Sequence, residues 1–263
     1  MRDMQASWIV QTNVEAESTS PALLREACSS LGLPFHALSV FAGTNPLPEL
    51  PSIEGPVVFH GRNTLIANAH EHPRWRSGVF FSPERFTHQV YVAALGGDML
   101  NANARTMSLE ALLASSYSTN RRLFIRPDGD SKRFSGQVVR FADCTSVCES
   151  LVRAGASEEL VVVGDVYELD AEWRLFFVDG RMISGSMYRP SGESFVPPEL
   201  VEFAEAAAQR WLPAEVVVMD VARHDGAWKI VEFNCFNGSR FYLANVEAIV
   251  LAVSRFQAER PKP

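Results

Sequence analysis

No apolar run in this chain of 263 residues approaches the length of about 20 that crosses a bilayer. The first residues lack a basic-then-apolar secretory pattern, and neither a low-complexity tract nor an internal repeat is present. Positive charge is in short supply. Lys and Arg number 24 against 31 Asp and Glu, and the net charge of −7 argues against non-specific nucleic-acid binding. The four cysteines (Cys28, Cys144, Cys148, Cys235) follow no framework spacing, and Cys144 and Cys148, one helical turn apart, read as packing rather than as metal ligands. Among the histidines only His70–Glu71–His72 has a metal-like spacing, and alternating residues on an exposed loop are ordinarily just solvated. No Gly-x-x-x-x-Gly-Lys phosphate loop occurs. Together these absences predict a soluble protein of a reducing cytoplasm.

What is present is an ordinary globular composition, 47% hydrophobic and 21% charged, on a chain long enough for one large or two modest domains. The stretch with most chemistry runs from Val216 to Asn234, two β-branched strands joined at Asp225–Gly226, a strong hairpin signal. Asp220, Glu232 and Asn234 stand where a buried strand normally carries aliphatics. Alternation puts Glu232 and Asn234 on one face, opposite to Val231 and Phe233. A two-residue loop would pair Asp220 with Val231 and send Asp220 to the other face. A three-residue loop, His224–Asp225–Gly226, places all three on one side and is therefore the expected turn. Hard oxygen donors grouped in this way suit Mg²⁺, which takes its remaining ligands from water and phosphate. A strand with a merely wet face is the plainer alternative.

The N-terminal third reads as a small doubly wound unit. Trp8–Gln11 is a strand, Ser20–Pro21 caps a helix over Ala22–Leu31 that Gly32 closes, and His36–Phe41 and Val57–His60 are further strands. Gly61–Arg62 follows the carboxyl end of the last of these, either a ligand contact or a plain loop. Another helix is expected to start at Ser82–Pro83–Glu84 and end at Leu95 before Gly96–Gly97.

From Leu123 to Val139 two short strands flank a polar loop with two glycines and several cations, suited to folding over phosphates or to lying on the surface as a hairpin. Arg126, a charge within an apolar strand, needs a partner, which a nucleotide phosphate would provide. A helix over Thr145–Ala154 leads into a buried strand, Leu160–Val166. Glu172 and Arg174 then alternate onto one face, which a structural ion pair and a phosphate-reading arginine explain equally well. Strands at Leu175–Val178 and Met182–Met187 follow, then amphipathic helices at Pro198–Trp211 and Leu243–Phe256.

Taken in order, Phe-Ile-Arg-Pro…Ser-Lys-Arg-Phe-Ser-Gly from Phe124, Glu-Trp-Arg-Leu-Phe-Phe-Val-Asp-Gly-Arg from Glu172, and Met-Asp-Val…Val-Glu-Phe-Asn-Cys-Phe-Asn-Gly-Ser-Arg-Phe-Tyr from Met219 resemble the ATP-grasp superfamily, in its clade named for two arginines and a lysine. The resemblance covers about residues 120 to 245. It implies an α/β (α+β) ATP-grasp fold: a small Rossmann-like N-terminal domain over residues 1–118, and an ATP-grasp domain over 119–263. The latter would hold a lid at about 119–160 and a C-terminal lobe at about 161–263.

It also implies roles. Arg126, where the family has lysine, and Lys132 would reach the phosphates of ATP. The strand around Val161 and Val163 would form the adenine hinge, with Glu168 at the ribose. Arg174 would lie near the γ-phosphate or the acyl-phosphate, Asp220, Glu232 and Asn234 would bind one or two Mg²⁺, and Arg240, where relatives tend to have glycine, would hold a substrate carboxylate. The chemistry implied is carboxylate–amine ligation through an acyl-phosphate, acting on small-molecule or peptide substrates and leaving no role for a Cys235 nucleophile. A kinase on the same fold, or a non-catalytic nucleotide-binding or interaction module, has the same motifs.

Overall fold

A computed structural model describes residues 5–14, 18–41, 50, 53–129 and 134–260. The chain builds three sheets in succession. The first holds β1 (Ser7–Gln11), β2 (Phe35–Leu38) and β3 (Val57–His60), all parallel in the order β2-β1-β3. Helices α1 (Ser20–Ser30) and α2 (Asn63–Glu71) belong to this part, and the doubly wound reading holds for it. No expectation covered α2, although its buried Leu65, Ile66 and Ala69 fall on one helical face. Helix α3 (His88–Leu95) begins later than Ser82, because Thr87 bridges Gly129 and the His88 N–H is claimed by Asp128, leaving Ser82–Thr87 to turns.

The second sheet is antiparallel. It contains β4 (Arg105–Met107), β5 (Arg122–Pro127), β6 (Gln137–Arg140) and β7 (Val161–Gly164), ordered β4-β7-β5-β6. The residue 118/119 division falls inside this layer, since β4 precedes it and the other three strands follow. Leu123, Ile125, Val161 and Val163 face a core of their own with α4 (Leu109–Leu113) and α5 (Cys144–Arg153). Cys144 and Cys148 are buried in that core, as packing residues would be.

The third sheet, also antiparallel, contains β8 (Ala171–Val178), β9 (Arg181–Arg189), β10 (Val216–His224) and β11 (Ala227–Cys235), ordered β11-β10-β8-β9. Its two faces feed two cores, each shared with the first sheet. Ile9 and Phe59 join Leu175, Phe177, Val217 and Met219 on one side. Trp8 and Val58 join Phe176, Val218 and Ile249 of α7 (Val246–Glu259) on the other. The N-terminal part and the C-terminal sheet thus bury their apolar surface against one another. No helix among the described residues is long and apolar enough to cross a membrane.

The turn between β10 and β11 departs from expectation. His224 pairs with Ala227, so the loop is the two residues Asp225 and Gly226, both with positive φ (48° and 77°), as a primed hairpin turn demands. Parity is corrected further along. Val221 pairs with Ile230 but Asp220 with Glu232, so Val231 is the extra residue of a β-bulge. The three polar residues share a face because of the bulge, not because of a three-residue loop.

Candidate active site

The second face of the C-terminal sheet changes character along its strands. Phe176, Val178, Val216 and Val218 pack under α7, and the same face continues into Arg174, Asp220, Glu232 and Asn234. Arg174 sits opposite Asp220 in the β8–β10 ladder, and its Nε and Nη2 donate to Oδ1 and Oδ2 at 2.8 and 2.7 Å. Burial works against the Arg174 charge, yet the carboxylate's attraction and hydrogen bonds outweigh it and raise the guanidinium pKa above its ordinary value. Asn234 Nδ2 donates to Asp220 Oδ2 at 3.1 Å and to Glu232 Oε1 at 3.3 Å, which leaves its amide oxygen for a cation. Glu172 does not pair with Arg174. Each finds its partner across the strands instead, Glu172 accepting from Arg189 Nη1 at 2.8 Å and from the Tyr188 hydroxyl at 2.7 Å.

Two aromatic rings complete the setting of Arg174. Tyr188 and Tyr242 stack with centroids 5.0 Å apart, and the guanidinium carbon lies 5.7 and 5.1 Å from the two rings. Tyr242 holds a φ of 49°, outside the usual range for a residue with a large side chain. Its position follows from the loop before it. Buried Asn237 donates to the carbonyls of Phe59 and Gly78 and accepts from the Phe80 N–H, fastening the end of β11 to the N-terminal part. The Gly61 N–H donates to the Asn237 carbonyl, and a Cβ at Gly61 would lie 2.6 Å from Gln11 Cβ, so Gly61–Arg62 stitches these parts together. Sequence reasoning missed Asn237, although the second asparagine of Asn-Cys-Phe-Asn was its signal.

A cavity of about 570 Å³ lies between the second and third sheets. Phe124 and Arg126 line it from β5; Glu232 and Asn234 line it from β11. Glu172 and Tyr188 close another side. Arg126 is 7% exposed; its Nη1 donates to the Pro127 carbonyl at 3.1 Å, and its Nε has no hydrogen-bond partner among the described residues.

Other expected residues stand elsewhere. Val161 and Val163 alternate away from the cavity into the core behind it, and the wall is formed by the residues just beyond them, Asp165, Val166 and Tyr167. The Glu168 side chain is exposed, and its carbonyl accepts from His224 Nδ1 at 2.8 Å. Arg240 is exposed beside the site, its carbonyl 3.5 Å from Arg174 Nη1. Lys132 lies outside the described residues. Among the described residues no group of three or more His, Cys, Asp and Glu could hold a metal ion by itself. A cation at this site would meet Glu232 and the Asn234 amide oxygen on the cavity wall. Asp220 lies behind that wall with both oxygens accepting from Arg174 and could add only a remaining lone pair. With other ligands drawn from water and phosphate, this all-oxygen donor set fits Mg²⁺.

Comparison with known proteins identifies the family and the fold. The family model described as an ATP-grasp domain of R2K clade family 3 matches residues 67–253. No curated protein sequence matches. Among solved structures, a RimK domain ATP-grasp protein from Sphaerobacter thermophilus superposes with a TM-score of 0.64 at 15% identity, over 96% of this chain and 99% of that one. The D-cycloserine synthetase DcsG gives 0.61 at 18% identity, over 95% and 99%. The macrocyclase MdnC of Microcystis aeruginosa, bound to its precursor peptide MdnA, gives 0.58 at 10%, over 95% and 99%. At these identities the likeness is one of fold.

Proposed function

The chain belongs to family 3 of the R2K clade of ATP-grasp domains, and from that premise we propose that it is an ATP- and Mg²⁺-dependent ligase joining a carboxylate to an amine. One observation carries the reading. A buried guanidinium from the second sheet, Arg126, lines the same cavity as the carboxylate and amide of Glu232 and Asn234 from the third. A cationic wall facing a cation-holding wall suits a triphosphate with its metal. That a synthetase and a macrocyclase are among the solved structures with this fold supports ligation over other outcomes.

In this reading Arg126 and Lys132 bind phosphate oxygens, and the wall after β7 receives the base. Asp220, Glu232 and Asn234 hold Mg²⁺, which when bound neutralises charge on the phosphates. Arg174, fixed by Asp220 and the two tyrosines, stabilises charge at the γ-phosphate, and Arg240 orients the substrate carboxylate. A carboxylate oxygen attacks the γ-phosphorus and ADP leaves. The amine then attacks the acyl-phosphate carbonyl, phosphate departs with the original carboxylate oxygen, and the amine's proton passes to solvent. Positioning and electrostatics suffice, and no side-chain nucleophile takes part. The amine and carboxylate are small molecules or peptides.

The test is a thermal-shift titration with ATP plus Mg²⁺, GTP plus Mg²⁺, and ATP plus EDTA. It is followed by ADP release against amino acids and dipeptides carrying ¹⁸O in the carboxylate. A metal-dependent, ATP-selective rise in Tm and ¹⁸O in the released phosphate are expected. No shift at millimolar ATP overturns the nucleotide site; turnover with unlabelled phosphate overturns the acyl-phosphate route.

A further inference from the structure

Arg126 is held by a residue from a distant part of the chain. We propose that His88 is the positioning residue of this cavity, its imidazole fixing the Arg126 guanidinium on the wall so that an anionic ligand meets it already aimed. This rests on the nucleotide reading above and names a residue outside the three sequence motifs that carry the resemblance.

The geometry begins with the backbone. The His88 N–H donates to the carbonyl and to Oδ1 of Asp128, both at 3.1 Å, which ties the first residue of α3 to the loop after β5. The buried ring then sits between two groups. Nδ1 lies 3.3 Å from Arg126 Nη2, and Nε2 lies 3.1 Å from the Asn101 carbonyl oxygen. A guanidinium only donates and a carbonyl only accepts, so the single ring proton belongs on Nε2, and Nδ1 accepts from Arg126. Burial and the neighbouring Arg126 charge depress the His88 pKa to about 4, keeping the ring in that uncharged form near neutrality.

An uncharged acceptor matters here. A carboxylate in the same place would orient Arg126 but also cancel its charge, leaving little attraction for phosphate. Imidazole fixes direction without neutralising. Among the described residues, the other hydrogen-bond partner of this guanidinium is the carbonyl of the adjacent Pro127. The nearby Asp128 carboxyl is itself pushed up by burial, against the pull of the His88 N–H and of Arg126.

Three substitutions separate the contributions. His88→Gln keeps an acceptor and a donor, His88→Leu removes both, and His88→Glu supplies an acceptor that carries charge. ATP affinity is measured calorimetrically with Mg²⁺ on the full chain, alone and in an Arg126→Met background. His88→Leu is expected to weaken ATP by about tenfold, the scale of one hydrogen bond to a charged group. His88→Gln should restore most of that, and His88→Glu should be as weak as His88→Leu. In the Arg126→Met background, His88→Leu should cost nothing further. Undiminished affinity in His88→Leu, or the same loss in both backgrounds, overturns the proposal.

A nucleotide-free arm uses ¹⁵N imidazole NMR, with His88→Gln assigning the resonance. One Nε2–H tautomer is expected in the parent chain and a mixture in Arg126→Met. A mixture in the parent chain overturns the His88–Arg126 contact directly. A single tautomer in a chain that binds no ATP leaves the contact standing and removes the nucleotide reading alone.

Discussion

Asp220 and Arg174 face each other across β10 and β8 with both carboxylate oxygens taken by the guanidinium, the acid 2% and the arginine 9% exposed. This pair changes what a substitution at Asp220 reports. Asp220→Ala strands a buried guanidinium, and breaking one side of such a pair costs about 3–5 kcal/mol. It is expected to lose stability by that amount in urea denaturation, in addition to any effect on metal. Arg174→Met combined with Asp220→Leu removes both charges and should recover most of the loss while remaining inactive. A stability of Asp220→Ala within about 1 kcal/mol of the parent chain would show that the pair is not held as described.

Glu232 is the cleaner probe of the metal. It is half-buried, accepts from Asn234 Nδ2 at 3.3 Å, and is not one of the two partners of the Arg174–Asp220 ion pair. Glu232→Gln is expected to leave the unliganded Tm within about 2 °C of the parent, as surface substitutions do. The difference between the Tm shifts with ATP plus Mg²⁺ and with ATP plus EDTA should vanish. If that difference survives in full, Glu232 does not hold the cation.

The sequence made legible whatever local period carries. Alternation alone groups Glu232 with Asn234, and the cysteines of α5 read correctly as packing. The turn after β10 was misread because a bulge at Val231 leaves no local mark; only the ladder to Asp220 shows it. For Glu172 and Arg174 alternation leaves an ion pair and a phosphate-reading arginine equally open, since it shows that two residues share a face but not what stands opposite. Their partners, Arg189 and Asp220, come from β9 and β10 respectively. The resemblance puts the strand around Val161 and Val163 at the adenine hinge, whereas strand parity sends these two side chains, with Leu123 and Ile125, into the core behind the cavity. His88 was invisible for a different reason: its contact to Arg126 joins residues 38 apart, through the α3 start and a loop.

The four thiols are expected to be inert. All are buried; desolvation pushes Cys28 up to about 12 and raises Cys144 and Cys148 as well. The thiolate is the reactive form, so a disulfide reagent should label none of the four within minutes in the native chain and all four in denaturant. Cys235→Ser should leave ATP turnover close to the parent value. Rapid native labelling of Cys235, or loss of turnover in Cys235→Ser with the fold intact, would return that thiol to the chemistry.

Acid stability offers a separate reading of His88. Its pKa is about 4 in the folded chain against 6.5 for an ordinary histidine, so between those values the unfolded chain binds a proton that the folded one does not. Stability therefore rises with pH across this window. The contribution is complete above pH 6.5, is lost as pH falls toward 4, and amounts to about 3 kcal/mol at 1.36 kcal/mol per unit. Other acid groups are common to the parent chain and to His88→Gln. The stability difference between these two chains, from urea denaturation at pH 7 and pH 4, should shift by about 3 kcal/mol in favour of the glutamine variant at the lower pH. A difference that stays constant would mean that the ring takes up its proton in the folded chain as readily as in the unfolded one, and hence that Nδ1 is not engaged by Arg126.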